Sequence, residues 1–103
     1  MIKKNLVLAI SFAMASTIAT IAQAYDGSEY AGEAKLTLAQ AEAIAQKAYP
    51  GTFVEVELEH KRGGSGLRYS FDIRAHHLTH EVAIDANTGK VLENSRESEN
   101  EDD

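Results

Sequence analysis

The chain has 103 residues, 44% of them hydrophobic and 25% charged, which leaves room for one domain and excludes a large enzyme with its own cofactor domain. It contains no cysteine, so disulfides, a thiol nucleophile and thiolate zinc sites are excluded. Acidic residues number 16 against 10 basic ones, and the formal net charge of −6 at pH 7 argues against nucleic acid and anionic lipid as partners.

The first 24 residues have the features of an export signal. Lys3 and Lys4 form a short positive segment, residues 6–21 carry no charge, and residues 22–24 (Ala-Gln-Ala) match the small-x-small pattern that signal peptidase reads. The alternative is an uncleaved membrane anchor, which the hydroxyl side chains within the apolar run disfavour. We therefore predict a signal peptide at 1–24, a periplasmic or secreted location, and no stable membrane insertion after cleavage.

Two further segments flank the predicted domain. Residues 25–35 mix Gly, Ser, Glu and Ala without a period, which predicts a flexible lead-in. Residues 94–103 are rich in Glu and Asp and contain no large apolar side chain, which predicts a disordered acidic tail. The tail's role is open between solubility and loose binding of cations or a basic partner.

A helix is predicted to begin after Thr37. The Thr37 hydroxyl can cap the first turn, and Gln40 completes a capping box. Residues 49–51 (Tyr-Pro-Gly) end the helix. One apolar stripe recurs at spacings of three and four, and its members are Leu38, Ala41, Ile44, Ala45 and Ala48. The alanines predict that the helix lies close to the surface that it covers.

The rest of the chain alternates between apolar and polar residues, which is typical of half-buried strands. The first strand is predicted to turn Val54, Val56 and Leu58 to one face and three glutamates to the other. The strands span residues 53–60, 67–75 and 81–85, with a short fourth strand from Val91. Short links between them indicate an antiparallel meander with one solvated face.

The single helix has to cover the apolar face of this sheet. The predicted fold class is therefore α+β, with one amphipathic helix packed on a three- to four-stranded antiparallel meander sheet. The outer face carries the glutamates of the first strand and Arg68 and Arg74 of the second. Cross-strand pairing of these charges would fix the register of the two strands.

The helix and strands together resemble the PepSY family. The segment from Leu36 is similar to the opening helix of the family, and residues 82–92 (Val-Ala-Ile-Asp-Ala-Asn-Thr-Gly-Lys-Val-Leu) are the most specific part. The resemblance covers residues 36–93 and implies a PepSY-like domain. The family has no agreed catalytic residues, so the resemblance implies a non-enzymatic module that binds a protein or peptide. It also implies inhibition or regulation of a peptidase.

The signature turn has a structural interpretation. Asp85 and Asn87 can accept hydrogen bonds from backbone N–H groups of the turn, and Gly89 permits a positive φ. We therefore interpret this turn as a structural device and not as a reaction centre.

Three of the four histidines are close in sequence, at His76, His77 and His80. Imidazole is a ligand for Zn²⁺, Cu²⁺ and Ni²⁺, and Asp72 and Glu81 could supply a further oxygen. This predicts a metal site and an alternative function, a periplasmic metal-responsive or metal-buffering protein that uses this turn and the acidic tail. The competing interpretation is a polar turn that gains charge in mildly acidic solution.

The sequence contains no arrangement typical of catalysis. The hydroxyls of Ser65, Ser70 and Thr79 lack a nucleophile-elbow context, so we predict no enzyme activity, no catalytic residue and no cofactor. Binding is the remaining route to function, because an exposed sheet edge can accept an extended peptide as an additional strand. The same edges could pair two copies into a homodimer, or charge could simply blunt them.

Overall fold

The computed structural model describes residues 24–97, so the predicted signal peptide and the tail from residue 98 lie outside the described residues, apart from Ala24. A four-stranded antiparallel sheet has its strands in chain order, β1 to β4. The elements are a 3₁₀ helix Ser28–Glu33, helix α1 Leu38–Ala48, and strands β1 Thr52–His60, β2 Leu67–Ala75, β3 Leu78–Asp85 and β4 Val91–Arg96. The predicted α+β fold class, one main helix on a meander sheet, is confirmed.

Helix α1 begins with the predicted capping box. The Thr37 hydroxyl accepts from the Gln40 N–H at 3.1 Å, and the Gln40 side chain accepts from the Thr37 N–H at 2.9 Å. Ala41 and Ala45 are fully buried. Their small side chains let the helix lie close to the sheet, as the alanine-rich stripe predicts.

The core lies between α1 and the inner face of the sheet, which is the face that the helix covers. Its largest fully buried side chains come from β1, β2 and β3, and the apolar ones are Leu58, Tyr69, Phe71, Ile73, Val82 and Ile84. Tyr69 keeps its polar end satisfied, because its hydroxyl donates to the Leu36 carbonyl at 2.9 Å. This bond also ties the segment before α1 to the sheet.

Strand β1 departs from the predicted alternation near its start. Its pairing with β2 shifts between Phe53 and Glu55, so Val54 forms a bulge and is 52% exposed. Phe53 takes the inward position and packs against Phe71 with ring centroids 5.1 Å apart. The prediction that Val54 faces the core was therefore wrong. A bulge adds one residue to the strand, and the strict alternation used for the prediction does not allow for it.

The segment predicted as a flexible lead-in contains the 3₁₀ helix and covers part of the edge of β1. The Leu58 N–H donates to the Asp26 carbonyl at 2.8 Å. Gly27 has a φ of 86°, and a Cβ at this position would collide with the Leu58 carbonyl. Tyr30 packs edge-on against His60 with ring centroids 4.5 Å apart. These long-range contacts order the segment although its own sequence has no period.

The other end of the domain also extends further than the sequence predicted. β4 runs to Arg96, so the first residues of the predicted tail are paired with β3. Within the described residues, neither helix has the length and hydrophobicity that a membrane crossing needs.

Candidate functional site

Within the described residues, the edge of β4 that faces away from β3 is open. β4 is the last strand in the sheet order, and nothing within residues 24–97 pairs with its outer side. The Glu97 N–H donates to the Thr79 carbonyl at 2.8 Å. In an antiparallel pair, successive residues direct their N–H and C=O groups alternately towards the partner strand and away from it, so this bond shows which residues of β4 face β3. Asn94 and Arg96 therefore direct their backbone N–H and C=O groups away from β3. These are the donors and acceptors that an added strand would use.

The edge of β1 is less accessible than the edge of β4. Asp26 bridges to β1 beside Glu57, and Gly27 lies against the Leu58 carbonyl. Towards the start of the strand, the bulge at Val54 bends the edge, and such bulges hinder pairing with another strand. β4 also has a register shift, at Leu92, but its residues 93–96 pair regularly with β3, and no described residue covers their outer side.

A concave depression of about 200 Å³ lies on the outer face of the sheet, opposite α1. Antiparallel register brings its side chains together, because Glu55 pairs with Asp72 and Asp72 pairs with Glu81. The residues that line it are Glu55, Glu57, Ser70, Asp72, Glu81 and Glu97. We call this group of five carboxylates and one hydroxyl the acidic depression.

Three carboxylates of the acidic depression, Asp72, Glu57 and Glu81, have raised pKa values. Burial, and after it the negative charges of Glu97, Glu55 and Glu81, together raise the pKa of Asp72 to about 6. Burial is also the first cause of the raised pKa values of Glu57 and Glu81. Gathering these groups costs folding free energy at neutral pH, because the charged forms are desolvated and repel one another.

Arg68 lies on the same face but outside the acidic depression. Its side chain is buried, with Nη1 3.9 Å from Glu93 Oε1 of β4 and Nη2 donating to the Arg62 carbonyl. The register places Arg68 opposite Glu59, yet the Glu59 carboxylate accepts from Ser70 at 3.0 Å. Among the described residues, the ion pair of Arg68 is therefore with β4 and not with the β1 glutamates that the sequence suggested.

Asp85 lies at the end of β3 and is almost fully buried. Its carboxylate accepts from the Ser65 N–H at 2.6 Å, the Ser65 hydroxyl at 2.8 Å, the Asn87 N–H at 2.8 Å and the Thr88 N–H at 3.1 Å. Burial alone would raise its pKa, but these hydrogen bonds outweigh burial and lower the pKa to about 2. Gly89 has the predicted positive φ, at 82°. This geometry supports the structural interpretation of the signature turn.

The sequence did not reveal the role of Ser65. Residues 61–66 have the composition of a flexible connection, but Ser65 docks this loop onto Asp85, a residue 20 positions further along the chain. Gly64, at φ 56°, faces the Asp85 carboxylate closely enough that a Cβ would collide with it. The only local sign of this contact is a glycine next to a serine, and nothing near them in the sequence identifies Asp85 as the partner of Ser65.

The three clustered histidines lie in two different environments. His76 and His77 are exposed and form the two-residue turn between β2 and β3, with φ values of 54° and 67°. His80 lies on the helix side, where its ring stacks on Tyr49 at a centroid distance of 3.7 Å and hydrogen-bonds Asn94. In the part of the chain that the structure describes, no three His, Cys, Asp or Glu side chains are arranged to hold a metal ion. The metal site at His76, His77 and His80 stays a prediction.

A family model for the PepSY domain, described as "Peptidase propeptide and YPEB domain", matches residues 35–94, which is more than half of the chain. PepSY domains are generally non-catalytic modules similar to propeptides. Searches of curated proteins and of solved structures gave no significant match.

Proposed function

Because the chain belongs to the PepSY family, we propose that it is an exported, non-enzymatic module that binds a protein or peptide and thereby inhibits or regulates a peptidase. The propeptide character of the family supports the link to a peptidase. The charge and hydrophobicity pattern of residues 1–24 supports export to the periplasm or beyond the cell.

The open edge of β4 is the observation that carries the binding part of this proposal. Asn94 and Arg96 present unpaired backbone groups at the same edge. Addition of a strand would satisfy these groups, and main-chain hydrogen bonds give this binding mode its affinity. Val91 of the same strand is 40% exposed and offers an apolar contact beside the edge. A segment of a peptidase, or a peptide on its way to the active site, would dock here in extended form.

A proline substitution tests this proposal. The purified chain is added to a thermolysin-like metallopeptidase, and the cleavage rate of a fluorogenic peptide is measured. We expect the wild type to slow cleavage and Arg96→Pro to lose this effect, because proline lacks the outward N–H and cannot pair at that position. Arg96→Ala keeps the N–H and is the matched control, expected to act like the wild type.

Two checks make the result decisive. Electrophoresis shows whether the chain stays intact, because a chain that is itself degraded would slow cleavage only as a competing substrate. Thermal unfolding shows whether Arg96→Pro is folded. We expect it to fold, because the N–H that it loses does not bond to β3. Equal inhibition by wild type and a folded Arg96→Pro would contradict binding at this edge, and no inhibition by either would contradict regulation of this peptidase class.

A further inference from the structure

On the outer face of the sheet, the side chains beside the open edge of β4 include two carboxylates. Glu93, Ser95 and Glu97 alternate on this side, opposite Ala83, Glu81 and Thr79 of β3. Glu97 also belongs to the acidic depression. A strand added beside β4 would therefore place every second side chain next to carboxylates.

The helix side of the same edge has a different character. Val91, Asn94 and Arg96 lie on this side, where they pair with Ile84, Val82 and His80 of β3. The Asn94 amide is already engaged, because it donates to the Ala48 carbonyl at 3.3 Å and hydrogen-bonds His80. None of the three is acidic, the positive charge of Arg96 disfavours a basic neighbour, and the exposed Val91 favours an apolar one.

We propose that the edge of β4 selects an extended peptide with Lys or Arg at alternate positions and uncharged, partly apolar residues between them. This inference rests on the proposed function. The basic side chains lie on the outer face, over Glu97 and beside Glu93, whose carboxylate also lies 3.9 Å from Arg68 Nη1. The uncharged side chains lie beside Val91 and Asn94. Opposite charges on neighbouring strands stabilise their pairing, and like charges oppose it.

Charge makes a second copy of this chain a poor occupant of the same edge. If two β4 strands paired antiparallel about an axis at Ser95, Glu93 of one copy would lie opposite Glu97 of the other. Directly opposed like charges destabilise strand pairing. Each copy also carries a net charge of −6. The acidic side of the edge therefore disfavours a homodimer and favours a basic strand.

Three labelled peptides of equal length test this specificity. In all three, every second position holds Val or Ser. The positions between are all Lys in the first peptide, all Thr in the second and all Glu in the third. Binding is followed by fluorescence anisotropy. We expect the Lys peptide to bind about tenfold more tightly than the Thr peptide, and the Glu peptide to bind most weakly. Raising the salt concentration to about 0.5 M should remove most of the advantage of the Lys peptide.

A charge reversal with a matched control locates the selectivity. Ser95→Lys places a cation between Glu93 and Glu97, and we expect it to weaken binding of the Lys peptide about tenfold. Thr52→Lys adds the same charge at an exposed position of β1 and should leave binding within about twofold, because the two edges lie on opposite sides of the sheet. Equal effects of the two substitutions would overturn the proposal.

The outcomes separate this inference from the proposed function. If the Lys and Thr peptides bind equally and Arg96→Pro abolishes both, the edge binds peptides without charge selection, and only the inference fails. If the Lys peptide binds Arg96→Pro as well as wild type, its contact is with the acidic face alone, and selection by an added strand is overturned. If no peptide binds the wild type, both the edge site and its selectivity are rejected.

Discussion

Asp85 and Asp72 are aspartates on the same face of one small sheet, yet their surroundings are opposite. Asp85 receives four hydrogen bonds and its pKa falls to about 2, although it is almost fully buried. Asp72 faces Glu55, Glu81 and Glu97, and its pKa rises to about 6. The first carboxylate stabilises the fold in its charged form, whereas the second destabilises the fold when it is charged.

This difference separates structural from binding features. Hydrogen bonds to Asp85 join the β1–β2 loop to the β3–β4 turn, so their role is to stabilise the domain itself. The acidic depression costs stability and gains nothing within the described domain that offsets the cost. Proteins retain such local conflicts where a function requires them, so the depression, unlike the Asp85 turn, supports the proposed use of this face for binding.

Removing the charge of Asp85 should give the largest effect. Asp85→Asn loses acceptor capacity towards Ser65 and the turn N–H groups, so we expect the free energy of unfolding to fall by about 3 kcal/mol. Urea denaturation followed by circular dichroism measures this loss. A change below about 1 kcal/mol would contradict the structural role of the carboxylate.

Two milder measurements keep this prediction testable if Asp85→Asn does not fold. Ser65→Ala removes one hydroxyl donor and should cost about 1 kcal/mol. In the wild type, the folded-state pKa of Asp85 lies below its unfolded value, so its contribution is complete above about pH 4 and is lost as the pH falls towards 2. That loss should amount to about 2 kcal/mol. Equal stability of wild type and Ser65→Ala would contradict the prediction.

The turn of His76 and His77 is a second place where local preference is violated. Both residues have left-handed φ values, which favour glycine and asparagine in a two-residue hairpin turn. We expect the double substitution His76→Asn and His77→Gly to raise the free energy of unfolding by about 1–2 kcal/mol. Urea denaturation measures the gain, and a loss of stability would show that the turn has another backbone geometry.

The same double variant bears on the predicted metal site. It removes two of the three predicted ligands and leaves His80 in its stack on Tyr49. Calorimetric titration with Zn²⁺ should then give weaker binding than wild type if the site exists. Unchanged binding would reject His76 and His77 as ligands.

Neutralising Asp72 should have the opposite sign to neutralising Asp85. The folded-state pKa of Asp72 lies above its unfolded value, so its penalty is present above about pH 6 and disappears as the pH falls towards 4. We expect Asp72→Asn to stabilise the protein by about 1 kcal/mol at pH 7.5, after allowance for solvent screening of a half-exposed group, and to have little effect near pH 4. Unfolding at the two pH values measures this, and equal destabilisation at both would refute the description of the depression.

The features that the sequence predicted are local or periodic. Thr37 and Gln40 are three residues apart, and the inward residues of β2 follow a strict period of two. The acidic depression was not predicted, because it depends on register that brings Glu55, Asp72 and Glu81 together from three strands. Three alternating glutamates show that one face is polar, but they do not show which carboxylates on other strands they will meet.

The smallest effect tests the bulge near the start of β1. Val54 is displaced from the ladder, so Phe53 pairs with Ile73 and faces inward, whereas residues 55–60 keep a regular register with β2. Val54→Thr should change the free energy of unfolding by less than about 0.5 kcal/mol, since the side chain is exposed and stays β-branched. Val56→Thr is the matched control and should cost about 1–2 kcal/mol, because Val56 packs against the core. Equal costs at the two positions would mean that Val54 faces inward after all and that β1 has no bulge there.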